Sequence, residues 1–552
     1  MDPAGRVRVA ELVGRIVADL GAGHAFGVVG SGNFSVTNAL VAAGVPYVAA
    51  RHEGGAATMA DAYARTCGRL GLVSLHQGCG LTNAMTGIAE AAKSRTPLLV
   101  LAADVAGSAV GSNFRIDQDA LVRGVGAVTE RVHSPGSVVD DVCRAYRTAW
   151  HGRRTVVLNL PLDVQAAEVA DVGRLETMPP APRTAPDPGI ADALADLLGH
   201  AERPVFLAGR GALAYGPELA ALADRVGALL TTSAVAAGTF ADEAYDLGIC
   251  GGFATPLAAE LITGADLVVA WGCSLTSWTT RHGRLLDPAA TLVQVDDERA
   301  AIGARRPVDL GVLGDVGLTV SALADRLAGE EIRTGYRTPD VARRLRTEGR
   351  WSQVPYADLS SASTIDPRTL TARLDVLLPG NRQLAVDSGN FMGYPAGYLT
   401  VPAAGAFCFT QSFQSIGLGL ATAIGAALAA PDRLPVLGTG DGGFLMAIAE
   451  LETAVRLGLG LLVVVYDDAA YGAEVHHFGP NGADLSTVRF PDVDLAAIAR
   501  GYGADGLTVR APADLDPLQD WLAGSRDRPL VIDAKISSDG GSWWLHEAFR
   551  AH

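Results

Sequence analysis

The 552-residue chain has no apolar run of the roughly 18–20 residues that a membrane-spanning helix needs, so a membrane protein is not expected. Its first residues, MDPAGRVRVAELVGRIVADL, read as an amphipathic helix and lack the apolar core and cleavage site of a signal peptide. Cysteine is scarce: six residues, at 67, 79, 143, 250, 273 and 408, with no paired spacing. That argues against a disulfide framework or a zinc site and for reduced thiols in a cytoplasm. The chain is also poor in lysine. Its 44 basic residues face 60 acidic ones, a net charge of −16. Sequence-independent nucleic-acid binding draws on basic neutralisation of phosphates, so no nucleic-acid partner is expected.

What is present is apolar mass. Hydrophobic residues make up 49% of the chain, rich in Ala, Gly and Val, and the length predicts three or four units. PPAPRTAPDP, residues 179–188, reads as an extended linker because each proline fixes φ and disfavours helix in the residue before it. A second polar stretch spans about 332–367. These breaks leave blocks 1–175, 190–330 and 365–540. Each block alternates short apolar strands with helical patterns, which predicts α/β architecture with three doubly wound parallel sheets. HAFGVV, YVAA, LVSL and LLVL are strands of the first block. VFLAG, LVVAWG and TLVQVD belong to the second, and QLAVDS, LPVLGTG, LLVVVYDD and PLVIDA to the third. Ligands of such folds sit beyond the C-terminal strand ends.

One such end is chemically loaded. The strand LPVLGTG runs into Gly440-Asp441-Gly442, a helical pattern follows over Phe444–Leu457, and the next strand ends in Asp467-Asp468. In a βαβ unit the two strands are parallel and commonly adjacent, so Asp441 and Asp468 converge beside glycine amides at a helix start. Glycines admit a phosphate, and the helix N-terminus attracts it. Two carboxylates repel a bare phosphate but hold a hard cation against it, and magnesium is typically bound by a few carboxylates plus phosphate oxygens. The segment reads as a magnesium–diphosphate site. Asp467 adds a charge with no evident role.

These residues, with the 24 between Gly442 and Asp467, resemble the diphosphate motif of thiamine-diphosphate (ThDP) enzymes. ARHEGGAATMADAYARTCGR, LHQGCGLTNAMTGIAEAAKSRTPLLVLAAD and SIGLGLATAIGAALAAPDRLPVLGTGDGG resemble consecutive segments of the acetolactate synthase and benzoylformate decarboxylase group. The likeness covers essentially the whole chain. It implies pyrimidine-binding, central and diphosphate-binding domains, and a homodimer or homotetramer in which domains of two subunits enclose each cofactor.

The resemblance assigns Asp441, Asp468 and the carbonyl of Ala470 to magnesium. It brings Gly389, Asn390, Gly440, Gly442, Gly443, Phe444 and Tyr471 to the cofactor, and sets Ile416 under the thiazolium. Glu53, at a helix start after a strand, reads from position alone as an N-terminal cap. The family role is to bond the aminopyrimidine ring and drive ylid formation. His52 reads as structural. His76 and Ser31 match proton-transfer and active-site positions of benzoylformate decarboxylase, and Glu474 matches a catalytic glutamate of pyruvate and indolepyruvate decarboxylases. Gln118 lies near the synthases' active-site glutamine, and His476 and His477 are further candidates.

The implied function is a ThDP- and magnesium-dependent 2-oxo acid decarboxylase/carboligase, whose enamine intermediate passes to a carbonyl acceptor. The alternative is a non-ligating decarboxylase that releases an aldehyde. A dinucleotide oxidoreductase is weaker, since Gly30 and Gly32 lack a full G-x-G-x-x-G. Three departures stand out: no paired histidines around 113–122, Asp467-Asp468 for Asn-Asn, and a central block resembling flavin-binding synthases with glycines too sparse to assign FAD. Trp543, Trp544 and His546 read as a lid or a docked terminal helix.

Overall fold

The computed structural model describes residues 5–539 and 543–550. Three six-stranded sheets, all parallel, follow one another along the chain. At the start, β1 (Arg6–Arg8) pairs antiparallel with β8 (Glu168–Ala170) and ties the two ends of the first unit together. Between them, β2 (Ala25–Gly27), β3 (Tyr47–Ala49), β4 (Gly71–Leu75), β5 (Leu98–Asp104), β6 (Val128–Arg131) and β7 (Thr155–Pro161) are ordered β3-β2-β4-β5-β7-β6. The central sheet is β11-β10-β9-β12-β13-β14, from β9 (Pro204–Ala208), β10 (Leu229–Thr232), β11 (Asp246–Ile249), β12 (Leu267–Trp271), β13 (Thr291–Asp296) and β14 (Leu310–Leu313). The last is β16-β15-β17-β18-β20-β19, from β15 (Arg382–Val386), β16 (Phe407–Phe409), β17 (Leu434–Gly440), β18 (Leu462–Asp467), β19 (Asp505–Val509) and β20 (Leu530–Lys535). First and last sheets thus share one winding, while the central one has the order of dinucleotide folds.

Strands such as β5, β7 and β18 are buried at every position. Helices cover both faces of a parallel sheet, so these strands read as unbroken apolar runs rather than alternating ones. The proline-rich 179–188 segment carries no regular element until a helix opens at Pro188, where Asp187 accepts hydrogen bonds from Gly189 N and Ile190 N. In the second polar stretch Thr338 caps a helix over Pro339–Glu348.

The helix expected over 444–457 is different in detail. It begins at Asp441 itself and is interrupted at Ile448, giving Asp441–Ala447 and Ala449–Arg456. At the joint Leu451 N bonds Ile448 O, a tighter turn that re-aims the second piece.

First and third units pack directly. The helix Glu53–Cys67 lies on Gly419–Ala429, so closely that a Cβ on Gly425 would sit 2.1 Å from Met59 O. Beside it, buried Glu90 pairs with Arg65 at 2.8 Å and accepts from Ser412 N at 3.1 Å and Phe413 N at 2.6 Å. The loop that leads to Ile416 is therefore held by the first unit.

Candidate active site

Strands β17 and β18 are hydrogen-bonded neighbours, with Gly440 opposite Tyr466. Asp441 and the Asp467-Asp468 pair leave these adjacent ends, and strand spacing of about 4.8 Å brings them together. Burial, then the charge of Asp467, pushes the Asp441 carboxyl up to about 7. Burial, followed by the Asp441 and Asp467 charges, pushes Asp468 up to about 7 as well. Two carboxylates that resist ionising side by side are primed for a cation.

The surrounding backbone forms a cradle that side chains would fill. A Cβ on Gly472 would lie 2.2 Å from Asp468 Oδ2 and 3.4 Å from Asn390 Cβ, and one on Gly442 would lie 2.8 Å from the Tyr471 ring. Gly389, at φ 151°, turns the chain after β15, and Asn390 follows it. Phe444 is anchored in the core, which fixes the start of the Asp441–Ala447 helix. Gly417, at φ 82°, turns the chain directly after Ile416 and packs on Met446, whose Cβ is 3.0 Å from where a Gly417 Cβ would stand. Among the described residues, no group of three or more His, Cys, Asp or Glu side chains could hold a metal alone. Two acids with phosphate and carbonyl oxygens suit magnesium, which rarely sits in an all-protein cage.

Sequence reading passed over the residue at the centre of this cradle. Asp387, 1% exposed at the end of β15, accepts from Ser388 N at 2.8 Å, Gly417 N at 3.2 Å and Thr439 Oγ1 at 3.1 Å. Burial pushes it up to about 6. It ties the ends of β15 and β17 to the loop after β16, and its place as the last residue of QLAVD was the available signal.

Asp467 has a partner: Lys535 Nζ lies 2.6 Å from its Oδ2. Burial alone would lower the Lys535 ammonium, but Asp467, Asp492 and Asp533 outweigh it and raise it above the ordinary lysine range.

The second cluster lies on the first unit. Glu53 is half-buried, and its Oε2 accepts from Asn83 Nδ2 at 3.0 Å. It is not the helix cap; His52 Nδ1 takes that role, accepting from Gly54 N at 3.0 Å. The turn before Glu53 is held from the third unit by Glu450, 2% exposed, which accepts from Arg51 N at 3.1 Å and His52 N at 3.0 Å. Gly80 stands between Glu53 and His76, since a Cβ there would be 3.5 Å from Glu53 Oε1 and 3.2 Å from His76 Cβ. His76 Nδ1 donates to Gln77 O at 2.9 Å, because a carbonyl only accepts. Its Nε2 is left to face Ser31 Oγ at 3.4 Å.

Gln118 is tied by its amide to the turn that follows His76. It is 2% exposed, and its amide accepts from Gly78 N at 2.9 Å and donates to Ala103 O and Asn159 Oδ1. Glu474 is half-buried on the helix Gly472–Phe478. His476 is lowered by burial despite Asp539, and the His477 ring meets Phe478 edge-on. The C-terminal helix is docked: Trp544 Nε1 donates to Asn390 O at 2.7 Å, Trp543 stacks on Trp351, and His546 faces solvent.

Models of the N-terminal TPP binding, central and C-terminal TPP binding domains of the thiamine pyrophosphate enzymes match residues 7–122, 191–323 and 387–534. The chain belongs to the thiamine pyrophosphate enzymes. Among family members it is 31% identical to a probable 2-ketoarginine decarboxylase of Pseudomonas aeruginosa, across 95% of this chain and 93% of that one. A sulfoacetaldehyde acetyltransferase of Rhodobacter capsulatus is 28% identical over 98% and 96% of the two chains. A catabolic acetolactate synthase of Raoultella terrigena is 28% identical over 95% and 94%. The family's two cofactor-binding domains thus carry the two clusters described above.

Proposed function

We propose that the protein is a magnesium-dependent ThDP decarboxylase/carboligase of 2-oxo acids. The observation that carries this is the convergence of buried Asp441 and half-buried Asp468 at adjacent strand ends inside a glycine cradle. Asp441, Asp468 and the Ala470 carbonyl would hold the cation. Backbone N–H groups from Gly440 to Phe444, with Gly389, Asn390 and Tyr471, would hold the diphosphate at a helix N-terminus. When bound, ThDP would supply a nucleophilic carbon and an electron sink for the decarboxylation of a 2-oxo acid. Glu53, its Oε2 fixed by Asn83, keeps Oε1 to exchange a proton with the aminopyrimidine ring. Ile416 would lie against the bound cofactor. His76, with Ser31 on Nε2, and Glu474 move protons at the substrate carbon.

The two clusters lie on different units, and apolar surface flanks each: Met446 is 62% exposed and Phe34 55%. We take this surface as the interface through which a second copy completes the site, as a dimer or dimer of dimers. Blocks 1–175, 190–330 and 365–540 are the proposed functional units, and six free thiols accord with a cytoplasmic protein. Among the described residues no helix is long and apolar enough to cross a membrane. In the central unit Gly209 N bonds Trp271 O and Gly211 N bonds Gly272 O. These bonds join two glycine turns, and FAD is not assigned to this unit.

The Ser31–His76 pair favours a second reading, an aldehyde-releasing decarboxylase. Incubation with ThDP, magnesium and a panel of 2-oxo acids, including one with a guanidino side chain, separates the two. Hydroxyketones or acetohydroxy acids in the presence of acceptor aldehydes support ligation; aldehyde alone under all conditions refutes it.

A further inference from the structure

Of 44 basic residues only two are lysines, and one, Lys535, ends β20 directly opposite Asp467 of β18. Its ammonium uses each of its three donors: Asp467 Oδ2 at 2.6 Å, Asp492 Oδ1 at 2.6 Å and Val493 O at 2.7 Å. Asp533 is a further neighbour at 3.2 Å. Acceptors converging on one point suit a compact ammonium and not the planar fork of arginine.

The second oxygen of Asp467 looks the other way. Its Oδ1 accepts from Ala469 N at 2.9 Å, and Ala469 has φ 51°, a left-handed conformation that costs a residue with a side chain. That turn sets the direction of Asp468 and of the Ala470 carbonyl. The turn is also bonded to the segment Lys535 grips: Tyr471 N donates to Val488 O at 2.9 Å and Phe490 N to Ala469 O at 2.8 Å, with Asp492 and Val493 next in the chain. One ammonium therefore meets both sides of the loop, while the backbone bonds Tyr471 N to Val488 O and Phe490 N to Ala469 O join those sides independently of it.

We propose that Lys535 is a positioning residue for the metal–diphosphate site, neutralising Asp467 so that a carboxylate can do at 467 what an uncharged amide would do. This rests on the metal–diphosphate reading above. A lysine that merely filled space would be missed whatever stood at 467. A charge-compensating lysine becomes dispensable once the charge is gone, because an asparagine at that position still offers Oδ1 to Ala469 N. Removing Lys535 alone would leave an unbalanced carboxylate next to Asp468 of the proposed metal–diphosphate site, and one nearby uncompensated charge changes anion affinity by about tenfold.

The test is calorimetric binding of ThDP to the full-length, cofactor-stripped protein at saturating Mn2+, with thermal midpoints alongside. Lys535→Met is expected to weaken ThDP about tenfold. The double variant Lys535→Met/Asp467→Asn is expected to return within about threefold of the wild type. If Lys535→Met does not fold, a folded double variant that binds as the wild type does supports the proposal equally. A double variant as impaired as the single one overturns it. Absence of ThDP binding in the wild type would instead overturn the metal–diphosphate reading, and the proposal with it.

Discussion

Titrating divalent metal into the cofactor-free protein should release protons, and the number follows from the site. Asp441 and Asp468 are both raised to about 7, first by burial and then by neighbouring carboxylate charge. Ligation requires the ionised forms. At pH 6 a group of pKa 7 is about 0.9 protonated, so binding should expel close to two protons; at pH 8 it should expel about 0.2. Ordinary aspartates would release essentially none at either pH. The measurement is Mn2+ calorimetry in buffers of different ionisation enthalpy, which yields the proton count directly. The same shifts carry a stability sign. A folded-state pKa above the unfolded value means that the folded protein binds more protons between about pH 4 and 7, so metal-free stability falls as pH rises through that window. Each extra proton contributes a slope of about 1.4 kcal/mol per pH unit, and bound metal should remove it. No proton release at pH 6 would refute the convergence of the two acids. So would a pH slope left intact in Asp441→Asn/Asp468→Asn.

Other substitutions test the first unit. Glu53→Gln should abolish turnover while ThDP remains bound by calorimetry, and full activity in that variant would refute its role. Glu450→Ala removes a charged acceptor from Arg51 N and His52 N. At about 1.5–3 kcal/mol per charged hydrogen bond, kcat should fall tenfold or more with ThDP affinity little changed, and Glu450→Gln should recover part of it. His76→Ala should slow turnover about a hundredfold, within the range of general acid–base groups, and leave ThDP binding intact. Unchanged kcat would remove His76 from the mechanism.

What was legible in the sequence was local. β17, the Gly-Asp-Gly turn, the following helix and β18 lie within one βαβ unit, so spacing alone predicted Asp441 beside Asp468. Asp387 was equally accessible at a strand end, but its bonds run to residues 30 and 52 positions away. Lys535 was out of reach because β20 inserts between β18 and β19, an order that no local pattern reveals. Glu450 lies 398 residues from His52 and meets it only because the first and third units pack face to face. Gln118, likened to a synthase glutamine, is 40 residues from Gly78 and 41 from Asn159, and only the fold brings these hydrogen-bond partners to its amide.

The most direct test of the central claim is carbon dioxide release from 2-oxo acids by the stripped protein, given ThDP alone, magnesium alone, or both. Release only when both are present, lost in Glu53→Gln, is the predicted result. Release that persists in EDTA with Asp441→Asn/Asp468→Asn, or none from any 2-oxo acid with both added, would contradict it.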